Sequence, residues 1–219
     1  MEYKIIVDSC CDLTSELKGR LDIRSVPLTM RLGKNEYTDD ESLHLADFME
    51  EMQACADKVG SSAPDPFLYQ QAMEAAHNSF VITLSSKLSA SYSNAVIGQS
   101  YAEESGEHGT YVFDSKSASA GETLVALKLN ELISNNTPKE TIINTINKFI
   151  NNMKTYFVLE NYDNLLKNGR LNKLTGKLIR ILNIKLLMGS DGNGNIKLYA
   201  KPRGIKQMIE NLLTLIHDS

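Results

Sequence analysis

Short apolar runs alternate with amphipathic stretches along the whole chain. KIIV (4–7), FVITL (80–84), GTYVFDSKS (109–117) and TYFVL (155–159) read as strands: each has an apolar or β-branched core, and charged or turn-forming residues close it. Between them lie segments of helical period. ESLHLADFMEEMQAC places Leu45, Phe48, Met49 and Met52 on one face. PFLYQQAMEAAH, SYSNAVIGQSYAEE and GETLVALKLNELIS follow as helices, and PKETIINTINKFINNM carries Ile142, Ile143, Ile146, Phe149, Ile150 and Met153 on one stripe behind Pro138. RSVPLTMRLGKNEYTDD (24–40) reads as one extended pair around Gly33, with Pro27 marking an edge or an irregular start. Asp12 or Thr14 can cap a turn after the first strand. ENYDNLLKNG ends a helix at Gly169, IKLLMGSDGNGNIKLYA is a hairpin turning on Asp-Gly-Asn-Gly, and IKQMIENLLTLIHD is a closing helix.

Strands joined by helical crossovers make a mostly parallel sheet with helices on both faces, the α/β class. Three strands end alike, in IIVDS, ITLSS and YVFDS, and the second runs into LSSKLSASYSNA (84–95), with five serines. Ligands of open parallel sheets bind beyond the carboxyl ends of the strands, where helix N-termini attract anions. Ser89 or Ser91 can cap the next helix or donate to an anion. A cap consumes one or two of the five hydroxyls, and the surplus points to binding.

Charge and composition narrow the classes. The net charge of −4 hides an asymmetry: residues 154–219 hold 11 Lys or Arg against 5 acids, and the preceding part 12 against 22. The basic positions are spaced by Leu, Ile and Gly, and Trp is absent, so a solvated face or a docking patch for an acidic partner is expected and no nucleic acid. The N-terminal residues form neither a secretory signal nor an anchor, and Lys185 interrupts the best apolar run, so a cytoplasmic protein without stable membrane insertion is expected. Cys10, Cys11 and Cys55 suit neither a disulfide framework nor a zinc site and are read as reduced thiols. The sequence contains no G-x-S-x-G, no G-x-x-x-x-G-K-[ST] and no G-x-G-x-x-G, and His44, His77, His108 and His217 have no acidic partner by spacing. The expectation is a binding protein with no catalytic residue, metal or cofactor.

VDSCCDLTSEL, VPLTMRLGKNEYTDD, GSSAPDPFLY, ITLSSKLSASYSNA, YVFDSKSASAGE, TYFVLENYDNLLKNGRLNK and LNIKLLMGSDGNGNIKLYAKPRG resemble, in order and over nearly the whole chain, the DegV family of bacterial fatty-acid-binding proteins. These serve as the FakB-type subunits of fatty acid kinase. The resemblance implies an N-terminal α/β domain over residues 1–155 carrying the head-group cradle. A second, smaller α/β domain spans 156–219 and looks incomplete, because family members continue further, to a late His-x-G-P-G-type segment. One long-chain fatty acid lies between the domains in the family, and the kinase's ATP-binding subunit phosphorylates its carboxylate to an acyl phosphate for phospholipid synthesis. Carried over by motif, the carboxylate ligands fall on Ser61 and its neighbour Ser62, and on Ser89 followed by Ala90, where the family has Gly. Arg170 in NGRLNK and Arg203 in PRG match arginines expected to contact phosphate or the partner. Two rival readings remain open: a small phosphorylated metabolite in the same cradle, or a protein that only docks a partner.

Overall fold

The structure is a computed structural model and describes residues 3–106, 109–159, 161–171 and 185–219; His108 and the basic positions Lys173, Lys177 and Arg180 lie outside the described residues. Contacts divide the chain into two compact units, Met1–Asn152 and Met153–Ser219.

The first unit is built on four parallel strands, β1 (Lys4–Asp8), β2 (Ile23–Val26), and two later ones whose ranges follow below. A hairpin of β3 (Thr29–Leu32) and β4 (Asn35–Thr38) turns on Gly33, at φ +58°, and β5 (Val59–Ser62) joins its other edge, giving a small antiparallel sheet in the order β4-β3-β5. Helix α1 (Ser15–Arg20) is capped by Thr14, whose hydroxyl accepts the N–H of Leu17 at 3.2 Å; α2 (Leu45–Ala54) follows the hairpin. Helix α3 (Pro66–Glu74) starts with Pro at its first position and with the Asp65 carboxylate accepting the Phe67 N–H at 2.9 Å. Then come β6 (Asn78–Thr83), α4 (Ser91–Ser105), β7 (Gly109–Asp114), α5 (Ala120–Ser134) and α6 (Lys139–Asn152). The parallel sheet has the order β2-β1-β6-β7.

The expected single extended pair over 24–40 is corrected here: its first part is β2, hydrogen-bonded in parallel to β1, and only β3 and β4 pair with each other. Pro27 lacks an N–H and cannot extend a ladder, so the chain leaves one sheet and enters another at this point. Strand β5 has no apolar alternation in VGSS and is defined by its pairing with β3.

Alternation along the strands gives the parallel sheet two apolar faces. Ile6, Val26, Val81 and Val112 pack with Tyr69, Ala72 and Met73 of α3 and with Ala95 and Ala102 of α4. The opposite positions include Ile5, Phe80 and Phe113, and α5 packs against β1 and β6 on this side, with α6 against α5. Helix α4 approaches α3 through a buried line of small residues, Ser91, Ala95, Gly98 and Ala102, while Val96, Ile97 and Tyr101 face outward. Contact is close enough that a Cβ on Gly98 would stand 2.6 Å from the carbonyl oxygen of Pro66.

The second unit contains β8 (Tyr156–Leu159), α7 (Asp163–Lys167), β9 (Leu186–Ser190), β10 (Ile196–Ala200) and α8 (Gly204–His217). Its sheet is antiparallel, in the order β10-β9-β8, and its core gathers Leu171, Leu186 and Met188 with Phe157 and Leu159. The β9–β10 turn is held by Asp191, whose carboxylate accepts the N–H groups of Asn193 at 2.8 Å and Asn195 at 3.1 Å. Among the described residues no helix is long and apolar enough to cross a membrane.

Two glycine substitutions separate packing from propensity. Gly98→Ala is expected to cost about 1–3 kcal/mol through the clash with α3. Gly19→Ala, in a helix with nothing within 4 Å of the added methyl, is expected to gain about 0.5–1 kcal/mol. Urea denaturation midpoints of the two variants, which should move in opposite directions, check both.

Candidate functional site

Strand order places the topological switch point between β1 and β6, because the chain goes from β1 to one side (β2) and then returns past it to β6 and β7. The loops leaving β1 and β6 part at this point, which is where open parallel sheets bind ligands. Asp8, the last residue of β1, is fully buried there. Its carboxylate accepts the N–H of Cys10 at 3.1 Å and, across the sheet, that of Leu84 at 2.9 Å. The Leu84–Ser86 turn is held from β7 as well: Asp114 accepts the Ser86 N–H at 3.1 Å, and the Ser117 carbonyl accepts that of Ser85 at 2.7 Å.

The five serines of 84–95 take different roles. Ser85 is fully buried and its hydroxyl accepts the Lys87 N–H at 3.2 Å. Ser93 donates to the Ala90 carbonyl at 2.8 Å. Both belong to the local backbone, so the surplus available for a ligand is smaller than a count of hydroxyls suggests. Ser91 is fully buried at the first position of α4, with its Oγ 3.1 Å from that of Ser89. Ser89 is half-buried just before the helix, and its hydroxyl accepts the Ser91 N–H at 3.2 Å. The residue in the cap position is Ala90, exposed and with no side-chain cap. Ser89 thus serves the helix start through one lone pair, and its O–H can turn outward.

Ser61 and Ser62 end β5, opposite Met30 and Thr29; Ser61 is exposed and Ser62 half-buried. The chain just beyond them is tied to α4 by Asn94, whose side-chain amide donates to the Pro64 carbonyl at 2.8 Å, one helical turn from Ser89 and Ala90. This link connects the two serine segments, and sequence analysis did not single it out. Arg170 and Arg203 belong to the second unit. Arg170 is exposed after α7 and donates to the Asn168 carbonyl at 2.5 Å; Arg203 is exposed in the cap position of α8, its N–H bonded to Gln207 at 2.7 Å.

Beneath the serine loop lies a polar interior that the sequence did not reveal. Glu122, in the first turn of α5, is fully buried. The N-terminus of α5 is fastened to the β1 loop by the Ser119 N–H bond to the Cys10 carbonyl at 3.1 Å, by a hydroxyl bond from Ser119 to Asp12, and by Thr123 Oγ1 donating to the Asp12 carbonyl at 2.8 Å. Ser119 holds φ +59°, a left-handed conformation uncommon for a side-chain-bearing residue, which these bonds stabilise. Burial and then the charge of Asp8 push the Glu122 carboxyl well above its ordinary range. Burial raises Asp8 too, opposed by the N–H groups of Leu84 and Cys10. The thiols are held neutral: burial and then Glu122 push Cys10 upward and Cys11 up to about 12. Acceptor atoms of Asp8, Cys10 and Glu122 all lie within 4.8 Å of one another. His44, His77 and His217 are exposed.

Comparison with known proteins gives this geometry a context. A DegV domain-containing protein of Streptococcus pneumoniae is 35% identical over 213 residues, covering 96% of this chain and 76% of its own. Among solved structures, a DegV family protein from Ruminococcus gnavus, refined with vaccenic acid, is 38% identical, with a TM-score of 0.91 over 98% of this chain and 77% of that one. The Streptococcus pneumoniae Fatty Acid Kinase (Fak) B3 protein loaded with linoleic acid is 33% identical, with a TM-score of 0.89 over 100% of this chain and 79% of that one. The family model described as "Uncharacterised protein, DegV family" matches residues 2–219. With a whole-chain match, relatives above 30% identity and the same α/β fold, the chain belongs to the DegV family.

Proposed function

We propose that the protein binds one long-chain fatty acid, holds its carboxylate with serine hydroxyls, and presents it to the ATP-binding subunit of a fatty acid kinase. Ser89 is the principal donor, with Ser61 and Ser62 on the adjoining segment and the Ala90 N–H beside it. The observation that carries the reading is the Ser89 hydroxyl, half-buried beyond the β1/β6 switch point with an O–H that can turn to a ligand. Two relatives above 30% identity that are described with a bound fatty acid support it, one of them a fatty acid kinase B protein. The chain acts in the cytoplasm as a binding and presenting subunit, without a catalytic residue of its own. Phosphoryl transfer to an acyl phosphate is the work of the partner, and Arg170 and Arg203 serve the phosphate or the partner's surface, since guanidinium forks match phosphate oxygens. Mass spectrometry of an organic extract of the purified protein should find a long-chain fatty acid; a small phosphorylated metabolite in its place, or no ligand, would overturn the proposal.

Ser89→Ala removes one charge-assisted hydrogen bond, worth about 1.5–3 kcal/mol, and should weaken fatty-acid binding roughly ten- to 150-fold. The same change removes the acceptor of the Ser91 N–H, so thermal stability should also fall, by about 1 kcal/mol. A fatty alcohol of equal length keeps the tail and lacks the charge. Wild type should prefer the acid and the variant should lose most of that preference; titration with both lipids reads it, and an unchanged preference removes Ser89 from the site.

Arg170→Glu and Arg203→Glu should each lower acyl phosphate formation with the kinase subunit while lipid uptake stays close to wild type. Parallel binding and kinase assays separate the two effects, and equal loss of both would place the arginines on the lipid.

A further inference from the structure

Two buried carboxyl groups lie close together at the switch point, and the hydrogen bonds suited to a charge are on Asp8. Asp8 and Glu122 are both fully buried, with carboxyl oxygens within 4.8 Å of each other. The oxygens of Asp8 each accept a backbone N–H, from Cys10 and from Leu84. Neither oxygen of Glu122 has a hydrogen-bond partner among the described residues, and the same holds for the buried hydroxyl of Tyr69. A buried carboxylate without a donor or a cation is costly, whereas a carboxylic acid can donate to a neighbouring carboxylate. Two carboxyls this close keep one proton between them by the same logic as the paired acids of aspartic proteases.

We propose that Asp8 and Glu122 share one proton, with the charge on Asp8, and that this proton limits the negative charge beneath the head-group serines to one. The serine loop is tied to the pair by the Leu84 N–H, which donates to Asp8 at 2.9 Å, and the Oγ of the fully buried Ser91 lies 3.1 Å from that of Ser89. Ionisation of Glu122 places a second negative charge beneath a site for a carboxylate and leaves an uncharged alcohol unaffected. The coupling to lipid rests on the role proposed for Ser89; the shared proton does not.

The groups facing the pair come from every element packed on it. Cys10, Cys11 and Asp12 come from the loop after β1, Tyr69 from α3, Ser91 from α4, and the Ser119 N–H from the start of α5. Burial and the neighbouring acids push the two thiols and the phenol upward, and burial and then the charge of Asp8 push Glu122 well above its ordinary range. Its folded value lies above its unfolded one. Its contribution to stability is therefore complete below the unfolded value and lost as pH rises through the folded one.

Infrared spectroscopy of the lipid-free whole chain tests the pair directly. At neutral pH exposed carboxyls are ionised, so a protonated carboxyl C=O band reports a buried acid. We expect that band in wild type, its loss at higher pH, and its absence from Glu122→Gln. Over the same pH range the wild-type melting temperature should fall and that of Glu122→Gln should change less. Titration with palmitate and hexadecanol, each kept below its aggregation concentration, should show wild type losing about tenfold or more of its acid-over-alcohol preference as the band disappears. In Glu122→Gln that preference should be independent of pH. A missing band at neutral pH, or a bound divalent ion found by elemental analysis, would overturn the shared proton. A band that titrates without changing the preference would overturn the coupling of this proton to head-group binding. If the band titrates and neither lipid binds at any pH, the fatty-acid reading fails and the coupling with it, while the shared proton stands on the band.

Discussion

Two backbone N–H groups converge on the carboxylate of Asp8, and the geometry of the switch point depends on that convergence. One comes from its own loop, at Cys10, and the other from Leu84 on the neighbouring strand's exit. Hydrogen bonds to a charged acceptor are about twice as strong as neutral ones, and these two are shielded from water. They fix the ends of β1 and β6 at the one place in the sheet where successive connections diverge. The serine loop, the start of α4 and the start of α5 are all referenced to those two ends. A neutral side chain at position 8 would leave two buried donors without an anionic acceptor, and the loops would lose their common origin.

The same interaction makes the neighbouring acid necessary to understand. Two ionised carboxylates within 4.8 Å repel by about 3–4 kcal/mol at an effective dielectric constant of ~20, a large share of the stability of an ordinary domain. Keeping Glu122 protonated removes that repulsion and gives its oxygen a proton to donate. It also limits the charge beneath the serine loop to one. On the proposed reading, a site for a carboxylate tolerates one buried negative group that is already offset by two N–H dipoles, and would be weakened by a second that has none.

Much of the fold was legible because its signals are local. The Ile142, Ile146, Ile150 stripe of α6 and the Asp-Gly-Asn-Gly turn between β9 and β10 depend on period and turn chemistry within a few residues, and both lie where the pattern put them. Strand β5 was not legible, because VGSS has no alternation and is defined by a partner nearly thirty residues away. The separation of β2 from β3 was half legible: Pro27 signals a break, yet nothing local says that the two sides belong to different sheets. The place of Ser89, after a strand and just before a helix, was legible because both signals are local. That of Glu122 was not: an acid in the first turn of a helix is ordinarily a solvated complement to the helix dipole, and GETLV looks like such a start. Only the fold shows that this turn is pressed against the end of β1. Asn94 escaped for the same reason, since its partner, Pro64, is distant in sequence.

On the proposed reading, the choice of hydroxyls for the head group follows from what must happen to the ligand next. Burying about sixteen methylenes at ~0.8 kcal/mol each supplies on the order of 10 kcal/mol before ordering costs, several times what one hydrogen bond to the carboxylate adds. Affinity therefore does not require a strong head-group clamp, and a strong clamp would be a disadvantage. A carboxylate paired with a bidentate arginine has both oxygens occupied and its charge offset, which lowers its nucleophilicity toward phosphorus. Neutral serine donors orient the carboxylate without offsetting its charge, so lone pairs remain available to attack phosphorus. Such donors also release the product at modest cost, because a hydroxyl freed of its ligand can return to a neighbour such as Ser91. Neutral donors at the serine loop, and arginines kept to the second unit, divide holding the carboxylate from stabilising the phosphate.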